Sequence, residues 1–430
     1  MTSANARSTA PSFGSPRGPW HDLGPAPLHQ PVHTAIARTL FHRVVPSLDV
    51  RVVLPDGRMI GGGGPSAPLM RVRSNDFFRR LGRHGLIGFG EAFMAGDWDA
   101  DDPAAVLTPF AARMDKLVPA WMQRLRHFYV RHQPSSERNT KTGARANIQR
   151  HYDLSNELFA LFLDDTMTYS CARFDPDTDA NDGNEALADA QCRKIDTLLD
   201  ATGVGLGSRV LEIGTGWGTL AVRAAQRGAT VTTLTLSEEQ AAVARERATR
   251  AGVANRVDVQ LRDYRDAEGE YDAIVSVEMI EAVGAEYWST YFVTLDRVLA
   301  PGGRVGVQAI LLAHERMLAT LDQYTWISKY IFPGGALPSL RAIEETVHEH
   351  TALSVDTVEC FGADYARTLR AWRERFDAHA REVDDLGFDG TFRRMWDFYL
   401  AYCEAGFATG YLDVAQIVLT KADTKAERHP

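Results

Sequence analysis

Residues 208–218 read SRVLEIGTGWG, an apolar run that ends in three closely spaced glycines. The apolar run predicts a buried β-strand. The glycines predict a sharp turn close to a ligand, because a residue without a Cβ adopts positive φ freely and leaves room for one. A helical pattern follows from Thr219 to Gln226. Strand, glycine-rich loop and helix in this order predict a cofactor site at the carboxyl end of a parallel strand.

Strand and helix patterns alternate on the carboxyl side of this loop. Apolar and β-branched runs occur at ATVTTLTLS, RVDVQLRDY, YDAIVSVEMIEAVG and GGRVGVQAI, with helical segments at 238–250 and 287–299. Aromatic-rich helical segments at 326–339, 365–384 and 392–411 precede a last strand, DVAQIVLT. This spacing predicts an α/β fold with a doubly wound, mostly parallel sheet and with inserted and C-terminal helices.

The amino-terminal part predicts a separate, small α+β domain. The segment DVRVVLPDGRMIGGGG alternates apolar and polar residues around a turn at Asp56 and Gly57, which predicts a β-hairpin. An amphipathic helix is predicted from 103 to 130. The chain is therefore divided into a disordered tail (1–32), a small domain (33–130), a linker (131–146), a catalytic domain (147–422) and a second tail (423–430).

The composition excludes several classes of protein. The 430-residue chain is too long for one ordinary domain, and its 45% of apolar residues suffice for a full core. No apolar stretch reaches the roughly 18 residues of a membrane helix. The net charge of −9 argues against a general nucleic-acid binder. The four cysteines lack the spacing of disulfides or metal ligands. This predicts a protein of the reducing cytoplasm that has no metal site.

One basic segment stands out against this acidic background. From Arg124 to Arg150 the sequence has seven Lys/Arg residues and one acidic residue, Glu137, and Phe128 and Tyr129 lie among them. Basic and aromatic residues together favour binding to anionic lipid at a membrane surface. A solvated helix and linker would have the same composition, so the segment alone does not decide between the two.

The glycine loop alone leaves two kinds of cofactor open. Nicotinamide and flavin enzymes use a G-x-G-x-x-G loop, but its third glycine would fall where Thr219 stands. The form E-x-G-x-G-x-G is typical of class I methyltransferases, which predicts S-adenosylmethionine as cofactor and Glu212 as the acid that orients it. The second strand lacks the usual terminal acid for the ribose. Asp263, after the third strand, is either an adenine contact or an ordinary loop acid.

Several motifs together resemble one family. They are NIQRHYDLSNELFALFLDDTMTYSCARF (147–174), VLEIGTGWG, TLTLSEEQ, RDYRD, IVSVEMIEAVG, KYIFPGGALPS and FGADYARTLRAWRERF. In this order and spacing the chain resembles the cyclopropane-fatty-acyl-phospholipid synthase family, and most of all its actinobacterial branch linked to tuberculostearic acid. The segment GRHGLIGFGEAFMAGDW looks like the small lipid- and dimer-associated domain of the long members.

The resemblance implies two sets of site residues. The positions that match cofactor contacts are Tyr169, Ser170, Gly214, Gly216, Thr235, Leu236, Gln240 and Tyr264. Family members also hold a bicarbonate ion beside the transferred methyl group. Its implied ligands here are Cys171, Glu281, Tyr365 and the backbone of Ile310.

Three positions depart from the family pattern. Gln308 stands where close cyclopropane synthases have His, and it can hydrogen-bond an anion but cannot take a proton at neutral pH. Glu278 and Ala282 flank Glu281 where typical members read G-x-x-E-H. These changes alter the charge and the proton acceptors of the pocket, and they put the cyclopropane product in doubt.

The resemblance implies methylation of the cis double bond of unsaturated (oleoyl-type) phospholipid acyl chains. Methyl transfer leaves a carbocation, and a base then removes a proton to give either a methylene branch, which we favour, or a cyclopropane ring. Tyr169, Phe174, Trp326, Tyr330 and Phe332 are candidates to stabilise the cation. A methyltransferase for a small soluble acceptor, and a silent lipid- or cofactor-binding protein, are the alternatives from other classes.

The expected partners follow from the same resemblance. We expect a homodimer in the cytoplasm that contacts the inner face of the membrane without a transmembrane segment. A methylene product would need a separate reductase to become a 10-methyl branch, since nothing in the sequence looks like a flavin or nicotinamide domain.

Overall fold

The computed structural model describes residues 18–28, 31–114, 134, 138–144, 154–175, 186–321 and 323–422. Its helices are α1 (Pro31–Val44), α2 (Asp76–His84), α3 (Leu86–Met94), α4 (Pro103–Ala111), α5 (Asn156–Phe162), α6 (Leu187–Ala201), α7 (Thr219–Gln226), α8 (Glu238–Arg250), α9 (Ile280–Val283), α10 (Trp288–Val298), α11 (His314–Thr320), α12 (Trp326–Tyr330), α13 (Leu340–His350), α14 (Gly362–Ala378), α15 (Ala380–Asp385) and α16 (Gly390–Ala408). Its strands are β1 (Arg51–Val53), β2 (Met59–Ile60), β3 (Leu69–Val72), β4 (Trp98–Ala100), β5 (Arg209–Ile213), β6 (Thr230–Thr235), β7 (Val257–Leu261), β8 (Tyr271–Val277), β9 (Leu299–Leu312), β10 (Leu353–Cys360) and β11 (Leu412–Lys421).

The large sheet carries the predicted doubly wound architecture. Its strand order is β10-β11-β9-β8-β5-β6-β7. Strands β5 to β9 run parallel, and β11 is antiparallel to both β9 and β10. The predicted glycine loop follows β5, the middle one of the five parallel strands. The ends of β6 and β8, its two neighbours, therefore lie on either side of that loop.

The predicted helices 219–226 and 238–250 are confirmed, but the one predicted over 326–339 is wrong. That helix, α12, ends at Tyr330. Pro333 and Gly334 follow, and Gly334 has φ +80°, which a helix cannot contain. The chain resumes a helix only at α13, where the Ser339 hydroxyl accepts a hydrogen bond from the backbone N–H of Ala342.

The small N-terminal sheet has the order β2-β1-β3-β4. Strands β1 and β2 form the predicted hairpin, and Gly57 supplies the positive φ, +83°, of its turn. The helix predicted from 103 to 130 begins at Pro103 and ends at Ala111, and residues 115–130 lie outside the described part. No helix among the described residues is long and apolar enough to span a bilayer.

The segments predicted as tail and linker contact the folded domains where they are described. Trp20 is 3% exposed, and its ring lies 4.8 Å from that of Phe392. Asn139 is equally buried and donates a hydrogen bond of 2.9 Å to the carbonyl of Gly334. The composition of these segments, rich in turn formers and polar residues, predicts that they are exposed to solvent. Instead, Trp20 is held by apolar packing and Asn139 by a buried hydrogen bond of its side-chain amide. Of the predicted basic segment, only Arg138 and Lys141 are described, and Lys141 lies 2.5 Å from Asp266.

The small domain packs on the catalytic domain through α3. A Cβ added to Gly90 would lie 2.6 Å from the indole of Trp326, so only glycine permits this approach. Next to it, the buried carboxylate of Glu91 accepts hydrogen bonds from Lys329 (2.5 Å) and Tyr330 (3.0 Å) and contacts His84 at 2.6 Å. Burial raises the pKa of Glu91, but His84 and Lys329 outweigh it and lower the pKa to about 2.

We expect Glu91→Gln to destabilise the protein by about 2 kcal/mol or more at neutral pH, because Lys329 loses a charged partner in a largely buried contact. Because the pKa of Glu91 is lower in the folded than in the unfolded protein, the ionised carboxylate stabilises the folded state at pH values above the unfolded pKa. This stabilisation is lost as the pH falls from about 4.5 to about 2. Urea unfolding at several pH values measures both effects. Glu268→Gln, which removes an exposed ion pair with Arg262, is the control and should leave the midpoint unchanged. An equal midpoint for both variants would contradict the assignment.

Candidate functional site

The glycine loop after β5 needs its glycines for different reasons. Gly214, Gly216 and Gly218 have φ of +93°, +50° and +89°, a region that disfavours other residues. A Cβ at Gly214 would lie 2.6 Å from Met279, and one at Gly218 would lie 2.8 Å from Ala244. At Gly216 a Cβ would meet no protein atom within 4 Å. The loop is thus packed on two sides and open at Gly216, where a ligand can approach the backbone.

Glu212 lies beneath this loop. Its carboxyl group is 2.5 Å from the hydroxyl of Thr233, which in turn lies 2.7 Å from the hydroxyl of Thr215. Burial raises the pKa of Glu212 to about 8, although the Thr233 hydroxyl acts against it. The sequence predicts that Glu212 orients the cofactor. In the structure its carboxyl group connects β5, β6 and the loop through Thr233 and Thr215.

Three residues that match cofactor contacts of the family, Thr235, Leu236 and Gln240, lie at the end of β6. The Thr235 hydroxyl is hydrogen-bonded to the side-chain oxygen of Gln240 (3.0 Å) and accepts the backbone N–H of Ser237 (3.1 Å). Leu236 is half-buried between them. Because β6 pairs with β5 in parallel register, this turn lies beside the glycine loop. The structure therefore brings the predicted polar groups and the loop to the same edge of the sheet.

The Asp263 side chain is already engaged. Both of its carboxylate oxygens accept hydrogen bonds from Arg265, at 2.8 and 2.7 Å. Burial alone would raise the pKa of Asp263, but Arg265 lowers it below its ordinary value. The hydroxyl of Tyr264 is buried and has no hydrogen-bond partner among the described residues, while its ring meets Tyr291 edge-on at 5.6 Å. Of the two predicted neighbours, Tyr264 has the group left to bind a ligand.

Residues 164–175 lie across the amino end of α7. The hydroxyl of Thr219 donates a hydrogen bond of 2.5 Å to the carbonyl of Thr166. This contact places the predicted residues Tyr169 and Ser170 near the loop. The Tyr169 hydroxyl lies 2.8 Å from that of Tyr399, and the buried Ser170 hydroxyl accepts a 2.5 Å hydrogen bond from Lys194.

A carboxylate forms the centre of the candidate catalytic site. Oε1 of Glu278 accepts the backbone N–H of Cys171 (2.9 Å) and Nε2 of Gln308 (2.9 Å). Oε2 accepts the hydroxyl of Tyr365 (2.6 Å). We call these four residues the Glu278 cluster. Cys171, Gln308 and Tyr365 are predicted site residues, so the structure brings them together, but it does so around a side chain that the sequence analysis treats only as a departure from the family.

Gln308 is held in one orientation. It is fully buried, and its Oε1 accepts a hydrogen bond from Gln416 (3.2 Å). Its amide nitrogen also contacts the carbonyl of Cys171 at 3.3 Å. The amide group therefore has its oxygen fixed by β11 and presents its N–H groups to the Glu278 cluster.

Glu281 lies beside the cluster at the start of α9. Its Oε1 accepts the backbone N–H of Ile310 at 2.5 Å, so the structure pairs these two predicted residues. Its Oε2 is buried without a hydrogen-bond partner among the described residues. Burial, and then the charge of Glu278, raise the pKa of Glu281 to about 8. A pKa in this range favours the protonated form of Glu281 at neutral pH.

Two of the five aromatic residues proposed to face a cation lie near this site. Tyr169 contacts the hydroxyl of Tyr399, and Phe332 lies 5.9 Å from the Tyr399 ring. The other three belong to other contacts. Trp326 packs 4.8 Å from Phe398, the Tyr330 hydroxyl donates to Glu91, and Phe174 lies under the guanidinium of Arg367 at 3.9 Å. Their aromatic character alone could not separate core packing from a site.

Sequence analysis missed Lys194. It is fully buried on α6, and Gln191 on the same face donates a hydrogen bond to the carbonyl of Ser170 at 2.8 Å. Burial lowers the pKa of Lys194 to about 8, while the charge of Glu278 acts against this change. A lysine among the apolar positions of an amphipathic helix was the available signal, since lysine is almost never fully buried without a partner.

The comparisons with known proteins find relatives over most of the chain. Residues 139–417 match the family model described as mycolic acid cyclopropane synthetase. The chain is 51% identical over 389 residues to the tuberculostearic acid methyltransferase UfaA1 of Mycobacterium tuberculosis, covering 90% of this chain and 91% of that protein. It is 35% identical over 373 residues to the cyclopropane-fatty-acyl-phospholipid synthase of Escherichia coli K12, covering 85% and 90%.

The chain belongs to the mycolic acid cyclopropane synthetase family. A solved structure of the mycolic acid cyclopropane synthase CmaA1, complexed with SAH and CTAB, has a TM-score of 0.59 and 30% identity to it, covering 67% of this chain and 99% of that one. The cyclopropane synthase MmaA2 of Mycobacterium tuberculosis gives the same TM-score with 32% identity, covering 64% and 98%. The fold is that of class I methyltransferases, and the protein is an S-adenosylmethionine-dependent enzyme of the cyclopropane synthase type.

We expect Gly216→Ala to weaken binding of S-adenosylhomocysteine by at least about tenfold, because the added methyl group would occupy the open face of the loop. Gly252→Ala is the matched control, since Gly252 also has positive φ (+72°) and open space but lies after α8, away from the loop. Both variants should lose a similar stability of about 1–2 kcal/mol from backbone strain. Isothermal titration calorimetry measures the affinities, and equal affinities in the two variants would contradict the role of Gly216.

Proposed function

We propose that this enzyme transfers a methyl group from S-adenosylmethionine to the cis double bond of unsaturated phospholipid acyl chains. The observation that carries the proposal is the position of the Glu278 cluster beside the glycine loop. Met279, next to Glu278 in the chain, packs directly on Gly214 of the loop. A methyl donor on the loop would therefore have a desolvated carboxylate close by. The name of the tuberculostearic acid methyltransferase, 51% identical, supports a fatty-acyl substrate.

The residues of the site suit this chemistry. S-adenosylmethionine supplies an electrophilic methyl group when it is bound. An alkene is a weak nucleophile, so the chain has to hold it in line with that group and exclude water. The buried rings around Tyr169 provide an apolar surface, with Phe159 at 5.2 Å and Trp372 at 5.3 Å. Aromatic faces also stabilise a nearby cation by roughly 0.5–2 kcal/mol.

We infer that the product is a methylene-branched acyl chain, the precursor of a 10-methyl branch. Gln308 and Glu278 support it, since both differ from the pattern of the cyclopropane synthases that the chain resembles. The alternative product is a cyclopropane ring, which the 35% identity to the Escherichia coli cyclopropane-fatty-acyl-phospholipid synthase favours. Both products need a base close to the cation.

We further propose that the enzyme acts as a homodimer at the inner face of the cytoplasmic membrane, with the small N-terminal domain near the lipid. The sequence between Arg124 and Arg150 supports lipid contact through its charge. A separate reductase would convert the methylene group to a methyl branch, because that step requires two electrons and two protons that this site does not supply.

We expect oleoyl phospholipid vesicles incubated with enzyme and S-adenosylmethionine to gain the mass of one CH₂ unit per modified acyl chain. Mass spectrometry of the released fatty acids measures the gain. Proton NMR then separates the isomers, since exocyclic methylene protons resonate in the vinyl region and cyclopropane protons far upfield. The Gly216→Ala enzyme serves as a control with reduced turnover. No gain with any unsaturated lipid, together with methylation of a small soluble acceptor, would overturn the proposed function.

We expect Gln308→His to lower the rate and raise the share of cyclopropane. The imidazole cannot both accept from Gln416 and keep the contacts to Glu278 and the Cys171 carbonyl that the amide makes. The NMR assay above gives the product ratio and the initial rate. Unchanged values for both would show that residue 308 does not direct the outcome.

A further inference from the structure

The site does not fit the bicarbonate ion that the family resemblance implies. The Tyr365 hydroxyl has one hydrogen and donates it to Glu278. The amide of Gln308 contacts Glu278 and the carbonyl of Cys171, and the backbone N–H of Ile310 is taken by Glu281. These donors are therefore engaged by the chain's own groups. A second anion beside the Glu278 carboxylate would also add like-charge repulsion in a desolvated site.

Glu278 itself supplies what such an ion would bring. Its carboxylate is planar, carries one negative charge and is hydrogen-bonded through both oxygens to the predicted ligands Cys171, Gln308 and Tyr365. It follows β8 directly, in the row of loops that holds the glycine loop. Glu278 as a whole residue is partly exposed, while burial of its carboxyl group raises the pKa of that group.

The backbone at this position is strained. Glu278 has φ +52°, a conformation that favours glycine and costs another residue about 1–2 kcal/mol. Its backbone N–H is fixed by a 2.8 Å hydrogen bond to the carbonyl of Gln308. Strain of this size persists when the surroundings hold a side chain in a position with a function. Here the three hydrogen bonds to the carboxylate are what hold it.

We propose that Glu278 accepts the proton released from the methylated acyl chain, in place of bicarbonate, so that the enzyme turns over without bicarbonate. This inference rests on the proposed function and names the base for it. Glu278 is thus assigned as a catalytic residue, while Gln308, Tyr365 and the Cys171 amide position its carboxylate.

The proton and electron balance of the step is complete. The alkene π electrons form a C–C bond to the methyl carbon as its C–S⁺ bond breaks, which leaves a neutral thioether and a carbocation on the chain. A hydride moves from the methylated carbon to the adjacent cationic carbon, and the positive charge moves to the methylated carbon. A C–H bond of the new methyl group then gives its proton to a Glu278 oxygen and its electron pair to the new C=CH₂ bond. The protonated Glu278 later releases the proton to water.

The charges around Glu278 suit a base. Burial raises its pKa above the ordinary range, while Lys194 and the hydrogen bonds from Tyr365, Cys171 and Gln308 hold it down. A carboxylate with a raised pKa is a stronger base than an exposed one. Burial and the charge of Glu278 raise the pKa of Glu281 to about 8, and burial raises the pKa values of Cys171 and Tyr365 well above their ordinary range. Three donated hydrogen bonds favour a negative charge on the Glu278 carboxylate.

The first test compares full-length wild-type enzyme in buffer freed of carbon dioxide with the same enzyme in millimolar bicarbonate, using the vesicle assay. We expect equal rates. Turnover that appears only with bicarbonate would overturn this inference and leave the proposed function intact. A lack of product under both conditions would count against the proposed function instead, so the two failures are distinguishable.

The second test uses two substitutions at the same position. We expect Glu278→Gln to lose at least about 100-fold in turnover with or without bicarbonate, because the amide fills the position but accepts no proton. Glu278→Gly relieves the backbone strain and vacates the position. We expect it to be equally slow in carbonate-free buffer and to regain at least about tenfold when bicarbonate is added. Glu344→Gln, an exposed acid on α13, is the control with unchanged rate.

Two further measurements separate catalysis from folding. S-adenosylhomocysteine affinity by calorimetry and the thermal unfolding midpoint should stay close to wild-type in Glu278→Gln. Wild-type turnover in that variant would overturn the assignment of Glu278 as the base. A Glu278→Gly enzyme that binds S-adenosylhomocysteine normally but does not respond to bicarbonate would also count against it, because the vacated position would then not be one that receives an anion.

Discussion

An ionised carboxylate in a desolvated site needs hydrogen bonds and opposite charge, and the site of this enzyme depends on how Glu278 obtains them. Its donors come from distant parts of the chain, from Cys171 before the sheet, Gln308 within β9 and Tyr365 on α14. The donors meet only when the central sheet and the C-terminal helices are both folded. The complete site therefore requires both parts of the catalytic domain to be folded.

A second set of hydrogen bonds holds residues of the Glu278 cluster and its neighbours in place. Gln416 lies directly opposite Gln308 in the antiparallel pair of β9 and β11, and its amide fixes the oxygen of Gln308 while also contacting the carbonyl of Lys194. Lys194 in turn holds the hydroxyl of Ser170, next to Cys171. The last strand among the described residues, β11, thus orients a side chain in the site, which explains why a C-terminal element far from the glycine loop belongs to the catalytic domain.

Sequence reasoning predicted the elements with strong local signals and failed where distant contacts decide. The glycine loop and helices 219–226 and 238–250 follow from periodicity and backbone chemistry, whereas Trp20 is buried by residues more than 360 positions away. Motifs predict Cys171, Gln308 and Tyr365 as site residues, and the structure brings the three together. The place of Glu278 was not predicted, because a glutamate after a strand shows neither its positive φ nor its three donors until the fold assembles them.

This chain has Gln308 where close cyclopropane synthases have His, and a glutamine at this position suits the presence of Glu278 beside it. A protonated histidine would form an ion pair with the Glu278 carboxylate and lower its pKa, which would make it a weaker base. A neutral amide donates a hydrogen bond and leaves the negative charge in place.

The amide of Gln308 cannot itself act as the base, so the proton acceptor has to be a carboxylate. Of the two that lie here, burial and the neighbouring charge raise the pKa of Glu281 to about 8, whereas Lys194 and three hydrogen-bond donors favour the charged form of Glu278. The departures at 278 and 308 therefore belong together: Glu278 supplies the proton acceptor, and Gln308 donates a hydrogen bond to it without neutralising its charge.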